Sequence, residues 1–127
     1  RGVHVQLVLP MKNDSPLIAA ASRSYYESLL DAGVEIFEFT KGLLHSKTIT
    51  LDRQGALVGT ANLDRRSFEI NFELSVLIFD DDFSSQVWAL QKSYIDDSVQ
   101  VSGYAFKRRS RGRRIVENAC GLLSPVL

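Results

Sequence analysis

Residues 45–52 read His-Ser-Lys-Thr-Ile-Thr-Leu-Asp, which sets an imidazole and an ammonium two residues apart at the head of a β-branched run. Such a run favours a strand, and in a strand residues i and i+2 share a face. His45 and Lys47 are therefore expected to point at the same spot. A nucleophile or base beside a fixed positive charge is what attack on a phosphate ester needs. Further along, Gly59-Thr60-Ala61-Asn62 offers a second polar pair, Thr60 and Asn62, both able to donate hydrogen bonds to a phosphoryl oxygen. Glu73 follows, with Asn71 and Ser75 on its own face of the next strand. A carboxylate near His45 would accept the Nδ1 proton, fix the tautomer and leave Nε2 free to attack. Asp52 fits less simply, because an offset of seven from His45 puts it on the opposite face of a straight strand. Its expected role is structural, bonding backbone amides or a basic side chain at the turn.

This constellation resembles the phospholipase D superfamily, whose signature is His-x-Lys-x4-Asp followed by Gly-(Ser/Thr)-x-Asn; here those positions are His45, Lys47, Asp52, Gly59, Thr60 and Asn62. The wider strings Gly-Leu-Leu-His-Ser-Lys-Thr, Leu-Val-Gly-Thr-Ala-Asn-Leu-Asp-Arg-Arg-Ser-Phe and Asn-Phe-Glu are similar to the C-terminal catalytic half of bacterial cardiolipin synthases, as is the end, Leu122 to Leu127. The resemblance implies a ping-pong phosphatidyl transfer between two phosphatidylglycerol molecules through a phosphohistidine, with glycerol leaving and no metal or nucleotide cofactor. By position, His45 is the nucleophile or its acid partner, Lys47 and Asn62 hold the phosphate, Thr60 supports it and Glu73 orients His45. Family practice counts Asp52 with the catalytic set. That mechanism needs two such motifs, and this chain has one, since His4 has no lysine two residues on and reads as a packed or solvated histidine. The partner is then a second half in a longer parent or a second copy about a two-fold axis, and the chain alone is expected to be inactive or nearly so. Two rival readings remain: a phosphodiesterase or nuclease of the same superfamily working as a homodimer, and a non-catalytic half that only pairs.

The elements that must position these residues can be read from their patterning. Val3 to Leu9 alternates up to Pro10 as a strand. A helix should follow from Asp14 or Ser15 with Pro16 in its first turn, running to Gly33, and Val34 to Phe39 should form a second strand, parallel to the first. Leu43 to Leu51 reads as the motif strand and Ala56 to Ala61 as its return, joined by Asp52-Arg53-Gln54-Gly55 as a type I turn. A short helical segment across Leu63 to Ile70 leads to a strand from Phe72 to Phe79, apolar enough to be buried on both faces. A helix then places Phe83, Val87, Trp88, Leu90 and Tyr94 inward. The fold class is α/β, a mixed sheet flanked by helices on both faces, and the resemblance makes it phospholipase D-like.

With 127 residues and 45% hydrophobic content, the chain has the size of one globular domain. Residues 1–103 carry the catalytic half and 104–127 a basic tail with a short amphipathic segment. The lone Cys120 excludes an internal disulfide, and no ligand spacing for zinc occurs. No apolar run reaches membrane-spanning length, so the piece reads as soluble. Its start without methionine points to a fragment of a longer parent, which the resemblance places at the bacterial cytoplasmic membrane. Fifteen basic and fifteen acidic residues cancel, but Lys107 to Arg114 holds six of the cations in eight residues, leaving a net −6 on the rest. That run reads either as a solvated tail or as an attraction to an anionic membrane surface, with Ile115, Leu122 and Leu123 dipping in behind it. Nucleic acid is the less favoured electrostatic partner.

Overall fold

The computed structural model describes residues 2–13, 15–62, 67 and 70–122; Asp14, Leu123 and most of the segment expected to be helical between Leu63 and Ile70 lie outside them. The architecture is α/β. Strand β1 (Gln6–Pro10) lies parallel to β2 (Glu35–Phe39), as the β-α-β pattern requires, with Gln6 opposite Glu35 and Pro10 opposite Phe39. The intervening chain is two helices rather than one, α1 (Pro16–Ser24) and α2 (Tyr26–Asp31). The break falls at Tyr25, whose N–H donates to Ser22 at i−3 (3.2 Å) while the Ser24 and Ser28 hydroxyls donate back to the Ala21 and Tyr25 carbonyls. Serine hydroxyls competing for helix carbonyls in this way bend or interrupt the helix. Gly33, at φ +86°, ends the second one.

One mixed sheet was the expectation; two three-stranded sheets are found. β1 and β2 are joined by β6 (Ser98–Gln100), antiparallel to β2, a short strand that the alternation does not reveal. The other sheet is an antiparallel meander of β3 (Thr48–Leu51), β4 (Gly55–Gly59) and β5 (Ser75–Ile78). Helix α3 (Asp81–Asp96) touches both sheets. Its start is fixed by Asp80, whose carboxylate accepts from the Phe83 N–H at 2.7 Å, a favourable cap. Val87 and Ser84 are its buried residues, whereas Leu90, expected to face inward, is exposed.

Strand β5 corrects the sequence reading most clearly. Its apolar stretch from Phe72 to Phe79 is neither long nor buried: Phe72, Leu74, Val76, Leu77 and Phe79 are all exposed. The reason is position, because β5 is an edge strand and only one face of its sheet meets α3.

The basic run folds onto the rest of the chain. α4 (Gly103–Lys107) packs beside α2 through Phe106 on Tyr26 (ring centroids 5.5 Å), and α5 (Arg111–Leu122) lies along α1. The side chains of Arg109 and Glu117 are nearly fully buried and bonded at 2.8 Å; Arg113 also pairs with Glu117, and Arg109 and Arg114 with Glu27. Lys107 pairs with Asp31. Most of the run's charge is thus matched by acidic groups of this same chain. On helix α5 the buried residue is Glu117, while Ile115, Val116 and Leu122 are exposed. Among the described residues no helix is long and apolar enough to cross a membrane.

Candidate active site

Helix α3 decides which way the motif hairpin faces. Thr50 Oγ1 donates to Gln91 Oε1 at 2.7 Å, and Gln91 Nε2 donates to Thr48 Oγ1 at 3.0 Å, so the even-numbered residues of β3 look toward the helix. Alternation then sends Lys47, Ile49 and Leu51 to the other, open face, where Ile49 and Leu51 are about half exposed. On the helix side the hairpin turn is held by Arg53, whose guanidinium lies 4.0 Å from the Trp88 ring centroid.

That turn is not type I. Asp52 (φ +50°) and Arg53 (φ +58°) both take left-handed backbone, closed by the Gln54 N–H on the Leu51 carbonyl at 2.9 Å. This is the mirror-image geometry whose twist matches a two-stranded hairpin, and aspartate is among the few residues that tolerate it. Asp52 is exposed, and its carboxylate has no bonding partner among the described residues. Among the described residues the bonds expected of it at the turn are not formed. Its backbone conformation is its observed contribution, and it sits five extended residues, about 16 Å of chain, beyond Lys47.

At the opposite end of the hairpin the regular strand begins only at Thr48, not Leu43. Its partner explains this: β4 ends at Gly59, whose N–H donates to the Lys47 carbonyl at 3.1 Å, and among the described residues no strand continues alongside His45. His45 therefore stands exposed on the segment leading into β3, and the Lys47 ammonium folds back to the His45 carbonyl at 3.3 Å.

Gly59 is where two backbones meet. A Cβ there would fall 2.7 Å from the Leu74 carbonyl oxygen and 2.9 Å from Ser75 Cα, so only glycine admits the β4–β5 approach. That approach lets Thr60 bond across: its N–H donates to the Leu74 carbonyl (2.9 Å) and its hydroxyl accepts from the Leu74 N–H (3.0 Å). The Thr60 hydroxyl proton goes to Glu73 Oε2 at 2.6 Å, and Asn71 Nδ2 donates to Glu73 Oε1 at 3.2 Å. With its proton committed to Glu73, Thr60 acts here by fixing the carboxylate.

Glu73 is held below the usual carboxylate range, first by the Thr60 hydrogen bond and then by Asn71; burial opposes them, and the Ser67 hydroxyl and the nearby Lys47 charge add smaller contributions in the same lowering direction. The chain thus brings Lys47, Thr60 and Glu73 into one electrostatic group. The expected bond from Glu73 to His45 is not among the hydrogen bonds of the described residues, because the carboxylate is turned toward Thr60, Asn71 and Ser67. Asn62 is exposed beside this group, its backbone N–H donating to Ser67 Oγ at 3.2 Å.

Ser67 is the residue that motif reading missed. Five residues past Asn62 and buried, it reaches back to the motif in a way its spacing alone does not announce. His4 belongs elsewhere: it is exposed and bonded to Glu35 at 3.0 Å.

Two surface clefts, one between β1, α1 and β2 around Arg23, Tyr26 and Glu38, the other around Gln54, Phe79 and Asp80 to Asp82, include none of the motif residues. Among the described residues no cluster of three potential metal ligands occurs.

Comparison with known proteins agrees with the motif. The family described as "Cardiolipin synthase, PLD-like domain" matches residues 1–95. Cardiolipin synthase A of Buchnera aphidicola subsp. Acyrthosiphon pisum (strain APS) is 46% identical over 127 residues, all of this chain and 26% of that protein. Cardiolipin synthase 2 of Bacillus cereus is 44% identical over 126 residues, 99% of this chain and 24% of that protein, and cardiolipin synthase A of Serratia proteamaculans is 43% identical over 127 residues. The chain spans about a quarter of the length of these relatives. No solved structure matches. On the motif, the fold and the match over most of its length, the chain belongs to the family of cardiolipin synthase PLD-like domains.

Proposed function

We propose that this chain is one catalytic half of a cardiolipin synthase-type phosphatidyltransferase, the C-terminal half of its parent. The observation that carries the reading is the grouping of Lys47, Thr60 and Glu73, with the Lys47 ammonium on the His45 carbonyl, in a chain of this family. In the proposed reaction a histidine nitrogen attacks the phosphorus of phosphatidylglycerol, forming a P–N bond as the P–O bond to the terminal glycerol breaks. A second histidine gives its proton to the departing glycerol oxygen. A second phosphatidylglycerol then attacks the phosphohistidine through its free hydroxyl, loses that proton to the same group and regenerates the imidazole. His45 supplies one of the two imidazoles. Lys47 and the Asn62 side chain hold the phosphoryl oxygens, and Glu73, kept ionised by its donors, supports the positive charge that His45 and Lys47 share.

A second half is required to bring the other histidine. Its proposed seat is the open sheet face, where register sets Ile49, Leu57 and Leu77 in one row and Leu51 opposite Gly55 in the next, with the Phe79 ring beside Gly55. Ile49, Leu51, Leu77 and Phe79 are exposed there, directly continuous with Lys47, and an apolar surface of this kind next to a charged site is suited to burial against a partner. The parent acts at the bacterial cytoplasmic membrane, where its lipid substrates lie. The test is the product of the full coding sequence assayed with vesicles of labelled phosphatidylglycerol. Cardiolipin and glycerol should form in equal amounts, and Lys47→Ala should abolish both; DNA cleavage without lipid transfer would favour the nuclease reading instead.

A further inference from the structure

We propose that helix α5 docks the chain on an anionic phospholipid bilayer, its outward apolar stripe entering the interfacial layer while Arg108 and Arg111 meet the headgroup phosphates. The proposal goes beyond the catalytic reading and does not depend on it. Two observations fix how the helix is turned. Glu117 is buried in its pairing with Arg109, and a Cβ on Gly121 would collide with the Ser24 side chain of α1. Residues 117 and 121 are four apart, so they share the inward face. Ile115, Ala119 and Leu122, spaced i, i+4 and i+7, then form a stripe on the far side, bordered by Val116. Ile115 is 69% exposed and Leu122 83%. The ion-paired Glu117 thus faces in and the aliphatic side chains face out, the reverse of an ordinary surface helix.

The surroundings of the stripe select its occupant. Lys107, Arg109, Arg113 and Arg114 are occupied by ion pairs, whereas Arg108 and Arg111 have no carboxylate partner among the described residues. Both are exposed. Arg108 lies over the exposed Tyr104 ring and donates to its hydroxyl at 2.5 Å, a pairing suited to a lipid–water boundary. The carboxylate that α4 and α5 contain is the buried Glu117, so these helices present no negative group to the two cations. An anionic headgroup layer supplies that charge, and lipid tails supply the apolar partner. A second copy of the chain would instead bring its own Arg108 and Arg111. A specific protein interface also needs about 800 Å² on each side, and a helix of 12 residues, about 18 Å long and 10 Å across, offers a fraction of that. The stripe is also remote from the open sheet face proposed for the second half. Glu38 of β2 faces Arg23 and Tyr26 while its neighbour Phe39 faces Tyr94 of α3, so α1 and α3 lie on opposite sides of that sheet, with α5 packed on α1.

The experiment places Ile115→Trp in the product of the full coding sequence. Its emission, taken as the difference from the unmodified protein, is followed with vesicles of phosphatidylserine and phosphatidylcholine carrying brominated acyl chains. Phosphatidylserine supplies the charge without being the proposed substrate, so docking is read apart from turnover. The added indole should shift to the blue and be quenched by the bromines. Binding should be about tenfold weaker when Arg108→Ser and Arg111→Ser are added, or when the vesicles are pure phosphatidylcholine. Leu122→Gln, at an exposed site where glutamine keeps helix propensity, should also weaken it about tenfold. Emission that stays that of a water-exposed indole with vesicles present would overturn the proposal, as would equal quenching in pure phosphatidylcholine. An indole already shielded without vesicles would overturn it in favour of a protein partner, a second copy if the shielding grows with concentration and another part of the parent if it does not.

Discussion

Gly59→Ala is the substitution whose cost the coordinates define best. The backbone at Gly59 is not left-handed, so the effect is purely one of space. The added methyl would sit 2.7 Å from the Leu74 oxygen and 2.9 Å from Ser75 Cα, where ordinary contact begins at 3.4 Å. The Ser75 hydroxyl, which the methyl also meets, can rotate away, but these two obstacles are backbone and cannot. The two strands must part by roughly half an ångström or more, and overpacking of this kind costs about 1–3 kcal/mol. Loss of glycine's freedom in the unfolded chain returns about 0.4–1 kcal/mol. The net is a destabilisation of about 1–2 kcal/mol, which for a chain of this size lowers Tm by roughly 4–8 °C. Two other glycines calibrate the measurement. Gly55→Ala meets the Phe79 ring at 3.4 Å and the Ile78 oxygen at 3.8 Å, both ordinary contacts, and Gly112→Ala meets nothing within 4 Å on helix α5. The first should be near neutral, and the second should gain about 0.5–1 kcal/mol from helix propensity. Urea unfolding of the three variants should rank Gly59→Ala last by a clear margin. A Gly59→Ala protein as stable as Gly55→Ala would refute the close-approach argument.

Thr60→Val keeps the shape of residue 60 and removes the strongest donor to Glu73, so carbon-detected titration should find the Glu73 midpoint raised toward the ordinary carboxylate value. Because the folded value lies below the unfolded one, the stability Glu73 contributes is present above the unfolded midpoint and is lost as pH falls through the folded one; that acid-side loss should shrink in Thr60→Val. Glu117→Ala strands the buried Arg109 without its 2.8 Å partner and should cost about 3 kcal/mol in urea unfolding, while Arg109→Met with Glu117→Leu should recover much of it. Tyr26 is pushed well above the ordinary phenol range by burial, with the Glu38 charge second. Its contribution is whole below the unfolded phenol midpoint and lost as pH rises toward the folded one, so ultraviolet titration should show one tyrosine ionising only with alkaline unfolding, absent in Tyr26→Phe.

The parts of the fold legible from sequence are those with local causes. The parallel β1–β2 pair follows from a β-α-β pattern, the start of α3 lies at an aspartate cap, and the hairpin carrying the motif is bounded by Asp52 and Gly55. What sequence patterning misread depends on distant neighbours. The stretch from Phe72 to Phe79 has the composition of a buried strand, yet its faces are open because β5 ends its sheet. The arginine run has the composition of a free tail, yet Glu27 and Glu117, one of them some eighty residues earlier, bind most of it. At the site, residue types and spacing indicated Lys47, Thr60 and Glu73 as candidates, and they do lie together. They did not reveal Ser67, whose hydroxyl accepts from the Asn62 N–H five residues back. Nor did they reveal that Thr60 gives its proton to Glu73.

The central claim is that His45 does covalent chemistry on a phospholipid phosphate, and its most direct test is a rapid acid-free quench of the full coding-sequence product during turnover of labelled phosphatidylglycerol. Peptide mapping with the unmodified protein and His45→Ala, alongside the rate of cardiolipin formation, reads the outcome. The account expects His45→Ala to abolish transfer, with the label trapped on His45 of the unmodified protein if His45 is the nucleophile, or accumulating on the other histidine of the parent if His45 is the acid. A His45→Ala protein that forms cardiolipin at the unmodified rate would contradict it.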